Sequence, residues 1–91
     1  MKSYFLQPIA SRDAAIVALT AALPGQTETW LLKDAAGDVM AYFYVAEPDA
    51  TTADRMIVTD ISGRHYNCDA DVVAVLQKLK TELGGEIAND A

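Results

Sequence analysis

TETWLLKDAAGDVMAYFYVA, residues 27–46, is the stretch that decides the fold. Thr27, Thr29 and Leu31 alternate with Glu28, Trp30 and Leu32 as far as Lys33. Asp34-Ala35-Ala36-Gly37-Asp38 then offers turn chemistry with a glycine free to take a positive φ, and Val39 to Ala46 runs straight back. The pattern predicts a β-hairpin. On its return strand Val39, Ala41, Phe43 and Val45 share one face, and Met40, Tyr42 and Tyr44 share the other. Neither face is polar, so if helices cover one of them the other is left with exposed aromatic side chains.

Upstream, Ser3 to Ile9 carries the strand formers Tyr4, Phe5, Leu6 and Ile9, with Pro8 marking an edge or an exit. Ser11 is placed to cap a helix whose first turn holds Asp13, and Ile16, Leu19 and Leu23 recur at helical spacing with Ala15, Ala18 and Ala22 beside them. Pro24-Gly25 ends that helix. Downstream, Glu47 to Asp54 lacks periodicity and reads as an acidic loop. Arg55 to Ile61 reads as a further strand, with Ile57, Thr59 and Ile61 against Met56, Val58 and Asp60. Asn67 or Asp69 can cap a second helix, whose apolar stripe is Val72, Leu76, Leu79 and Leu83 and whose stop is Gly84-Gly85. Glu86 to Asn89 is left as a short final strand or a frayed end.

The predicted order is β-α-β-β-β-α with a possible C-terminal strand. It implies an α+β two-layer sandwich, a mostly antiparallel four-stranded sheet with both helices on one face. Ninety-one residues, 52% apolar and 22% charged, fit a single domain over residues 1–91. Seven Lys plus Arg against thirteen Asp plus Glu leave a net charge of −6, which argues against nucleic acid and anionic membrane surfaces as partners. No apolar run approaches the ~18 residues of a membrane span. The N-terminal apolar run is short and broken by Gln7 and Pro8, unlike a secretory leader. Cys68 is the only cysteine, so no internal disulfide forms, and a reducing, cytoplasmic setting is expected.

Two regions are candidates for function. The first is the sheet face expected to carry Trp30, Leu32, Met40, Tyr42, Tyr44, Met56 and Val58. Two helices cover one face of such a sheet, and Tyr, Trp and Met combine large contact area with adaptability or a polar tip, as at the centres of protein interfaces. Self-association as a homodimer, or docking of another protein, through Trp30, Met40, Tyr42, Tyr44 and Met56 is therefore expected, without catalysis. The plainer alternative is that loops or the C-terminal tail close over these rings.

The second region is Ser62-Gly63-Arg64-His65-Tyr66-Asn67-Cys68-Asp69, which holds the only His and the only Cys. At a helix N-terminus, Arg64, His65, Tyr66 and Cys68 would form a corner for an anion or small ligand, with Cys68 a conceivable nucleophile. Asp69 and Asp71 already place negative charge there, and a capped helix after a polar turn explains the same residues. One His, one Cys and scattered Asp fall short of a structural zinc set, so neither metal nor cofactor is expected. The pairs Asp34/Asp38, Asp49/Asp54 and Asp69/Asp71 sit where Asp is favoured for backbone reasons in turns, loops and helix starts.

Overall fold

The computed structural model describes residues 2–24, 26, 29–50, 54–63 and 70–89. Among these described residues seven elements follow in the order β1 (Lys2–Gln7), α1 (Arg12–Ala22), β2 (Trp30–Lys33), β3 (Val39–Ala46), β4 (Met56–Ile61), α2 (Ala70–Leu83) and β5 (Glu86–Asn89). The five strands form one antiparallel sheet in the order β2-β3-β4-β1-β5, so the C-terminal segment is a paired strand and the sheet is one strand wider than the four expected.

Local chemistry sets the element boundaries. Ser11 keeps an extended backbone (φ −141°, ψ 132°), and its Oγ accepts the Ala14 N–H at 3.3 Å, which satisfies one of the unpaired donors at the start of α1. In the hairpin turn, Asp34 Oδ1 accepts from the Ala36 and Asp38 N–H groups at 2.9 and 3.0 Å, while Gly37 takes φ +90°. The Asp34/Asp38 pair is thus a turn device. Helix α2 stops at Gly84 and Gly85, both at positive φ, and the Gly84 N–H closes onto the Lys80 carbonyl at 2.7 Å. The outer edge of β2 is covered by Gln26: its side-chain amide donates to the Leu31 carbonyl at 2.8 Å and accepts the Leu31 N–H at 2.9 Å, as a neighbouring strand would.

Both helices pack on one face. The core joins Tyr4 and Leu6 of β1, Trp30 of β2, Ala41 and Phe43 of β3, and Ile57 and Ile61 of β4 to Ala15, Leu19 and Leu23 in and after α1 and Val72, Leu76 and Leu79 of α2. Fully buried Leu side chains such as Leu6, Leu19 and Leu76 each contribute on the order of 2 kcal/mol. Glu47 ties the loop before α1 to the end of β3. It accepts the Arg55 Nε–H at 3.0 and 3.1 Å and lies 3.6 Å from Arg12, while Arg55 Nη1 donates to the Ala10 carbonyl at 3.1 Å.

One expectation about the sheet is corrected. An unshifted hairpin closed at Asp34 and Asp38 would set Trp30 opposite Tyr42, on the open face. A β-bulge between Leu32 and Lys33 shifts the register, so Trp30 pairs with Phe43 and Leu32 with Ala41, both on the helix-covered side. Trp30 is 2% exposed and part of the core. Met40 stands at the bulge and is buried too, outside the core cluster.

Candidate functional site

The face of the sheet turned away from the helices is ordered by its register. One row across the strands is Leu31, Tyr42, Asp60 and Ser3; the next is Tyr44, Val58, Phe5 and Ala88. Ala46 and Met56 form a third pair. Tyr42 and Tyr44 are 45% and 37% exposed, the two most open aromatic residues among those described, while Phe5, Leu31 and Met56 are half-buried. Val58 is buried, flanked in register by Tyr44 and Phe5. The result is an apolar band with two phenols rising from it.

A carboxylate lies within that band. Asp60 is half-buried on β4, directly across from Tyr42 on β3 and Ser3 on β1, and Ser3 Oγ donates to Asp60 Oδ1 at 2.6 Å. That bond fixes the orientation of the carboxylate. No Lys or Arg pairs with Asp60 among the described residues. The Tyr44 hydroxyl is pushed above its usual 10.0, first by partial burial and then by the negative charge of Asp60, so it stays a neutral donor at physiological pH.

The structure keeps Tyr42, Tyr44 and Met56 of the expected face together on this surface. It removes Trp30, which belongs to the core, and Met40, which is too buried to meet a partner. Phe5, Leu31, Asp60 and Ser3 complete the surface and were not singled out as site residues by the sequence. A signal for two of them was present: Phe5 alternates with Tyr4 and Leu6, and Asp60 is the single charge inside an otherwise uncharged strand. The alternative corner of Arg64, His65, Tyr66 and Cys68 lies outside the described residues, as do the helix caps expected at Asn67 or Asp69.

A recess of about 200 Å³ opens where β2 begins, lined by Arg12, Thr29, Trp30, Tyr44 and Val45. The Trp30 Nε1–H is buried and has no hydrogen-bond partner among the described residues. No group of three or more His, Cys, Asp or Glu side chains is gathered at metal-binding spacing among the described residues, and no helix there is long and apolar enough to cross a membrane. Comparison with protein-family models, with curated proteins and with solved structures finds no match, so the functional reading rests on the surface itself.

Proposed function

We propose that this protein is a non-catalytic interaction domain whose open sheet face docks a partner protein through an arginine or lysine set among apolar side chains. The observation that carries this reading is Asp60, a carboxylate held by Ser3 beside two exposed tyrosines, with no cation among the described residues paired to it. A guanidinium placed there gains an ion pair and lies near aromatic faces at the same time, which neither an acidic nor a purely apolar group can do. The flanking Leu31, Phe5 and Met56 supply contact area around that point. The net charge of −6 favours approach of a basic surface at long range. A second copy of the chain meets this face less well, since a two-fold axis through its centre brings one Asp60 toward the other.

The test is a nuclear magnetic resonance titration with two probe peptides that alternate valine with arginine in one and with glutamate in the other. The arginine peptide is expected to shift the resonances of Tyr42, Tyr44 and Asp60 and to lose most of its effect on the Asp60→Asn protein. Equal shifts with the glutamate peptide, or shifts confined to the helical side, overturn the proposal.

A further inference from the structure

Helix α1 is apolar nearly all round. Of its eleven residues only Arg12, Asp13 and Thr20 are polar, and a helix of that composition is ordinarily enclosed on every side. Its inner face is enclosed: Ala15, Ala18 and Leu19 are buried against the sheet. The outer face is bare, with Val17 69% exposed, the most open large apolar residue among those described, and Ala14 and Ala21 exposed beside it. Helix α2 differs, because its exposed positions include Gln77, Lys78, Thr81 and Glu82. Between the two helices runs a groove of about 460 Å³, floored by Ala14, Val17, Ala18, Ala21, Leu79 and Leu83 and edged by Asp13, Lys78 and Glu82.

The geometry points to a second copy of this chain as the occupant, with α1 of one protomer seated along α1 and the groove of the other about a two-fold axis. The charge pattern at the groove's edge selects a copy over a foreign chain. The edge of the groove carries both signs of charge, and Asp13, Lys78 and Glu82 have no charged partner among the described residues. A patch bearing a cation and anions at once is self-complementary, as an interface related by a two-fold axis must be, because Lys78 of each copy can meet Asp13 or Glu82 of the other. This surface lies on the helical side, opposite the tyrosine face, so a dimer formed here leaves Asp60 and its neighbours open.

Sedimentation velocity across a wide concentration range tests the assignment. The wild-type chain is expected to sediment as a dimer and the Val17→Glu protein as a monomer with an unchanged circular dichroism spectrum, since Val17 supports nothing inside the fold. Lys78→Glu and the double variant Asp13→Lys/Glu82→Lys are each expected to lose the dimer alone and to regain it when mixed in equal amounts. A wild-type chain that stays monomeric overturns the proposal, as does a dimer that survives Val17→Glu and both charge variants. A dimer lost on Tyr42→Glu but retained by Val17→Glu overturns it too, and moves self-association to the sheet face.

Discussion

Ser3 and Asp60 stand 57 positions apart in the chain and directly opposite one another on β1 and β4, joined by a 2.6 Å hydrogen bond from the Ser3 hydroxyl to the Asp60 carboxylate. The carboxylate therefore faces the tyrosine band in a fixed orientation, and it is one of two causes that raise the Tyr44 hydroxyl above 10.0. Asp60→Asn keeps an oxygen for Ser3 and removes the charge. Following phenolate absorbance through alkaline pH, Tyr44 is expected to titrate lower in the variant yet still above 10.0, because burial is the larger cause and remains. The sign for stability follows. A raised hydroxyl favours the folded state below 10.0, and that contribution is lost as pH climbs through the folded value, so the alkaline loss is smaller in Asp60→Asn. An unchanged Tyr44 titration would show that the carboxylate does not act on the ring.

Glu47 gives the opposite sign at the other end of the pH scale. Its hydrogen bond from Arg55, together with the charges of Arg55 and Arg12, holds the carboxyl below the usual 4.5. A depressed acid stabilises the fold above its unfolded value and loses that contribution as pH falls through the folded one. Glu47→Gln is therefore expected to melt below the wild type at neutral pH, with the gap closing as the solution is acidified past 4.5. Added salt narrows the gap too, since the group is at the surface. Parallel melting curves at every pH would remove the network from the stability of the fold.

The parts of this fold that were legible in the sequence are those fixed by neighbours in the chain. Ser11, the Asp34-Gly37-Asp38 turn and Gly84-Gly85 act through bonds spanning a few residues, and each does in the structure what its chemistry suggests. The order of strands and helices and the two-layer α+β class follow from periodicity in the same way. Trp30 was misplaced for a definite reason: a bulge between Leu32 and Lys33 reverses which face of β2 meets the core, and nothing between Asp34 and Asp38 announces it. The pairing of Ser3 with Asp60 was invisible because it needs the β1-β4 register, a long-range property of the sheet. The outer face of α1 was readable in part: Ala15, Ala18 and Ala22 stand beside its apolar stripe in the sequence, but only the structure, with Val17 69% exposed, shows that the packing stops at one side.

Thr59 is fully buried on the core face of β4, in register with Tyr4 and Phe43, and its hydroxyl has no hydrogen-bond partner among the described residues. A buried hydroxyl without a partner costs about 1–3 kcal/mol, and valine has the same branched shape without it. Thr59→Val is expected to stabilise the protein by about 1 kcal/mol, which raises Tm by roughly 4–8 °C in a domain of this size. Thermal unfolding by circular dichroism measures this. A lower Tm would mean that the hydroxyl is satisfied in solution.

Gly84 and Gly85 carry the chain from α2 into β5, and the two are separable by what surrounds them. Both have positive φ, +76° and +88°, so an alanine at either position takes on backbone strain of roughly 1–2 kcal/mol. At Gly84 nothing lies within 4 Å of the added methyl group, and strain is the whole cost. At Gly85 the methyl carbon would stand 3.0 Å from the Gln7 carbonyl oxygen and 3.1 Å from that of Pro8, both backbone atoms at the end of β1. Those atoms can move away only by disturbing the pairing of Gln7 with Glu86 that begins the β1-β5 ladder. Gly85→Ala is therefore expected to lower Tm well beyond Gly84→Ala and to strip hydrogen-exchange protection from β5 selectively, leaving β3 and β4 protected. Equal destabilisation by the two substitutions, with β5 still protected in both, would show that close approach to β1 is not what requires glycine at position 85.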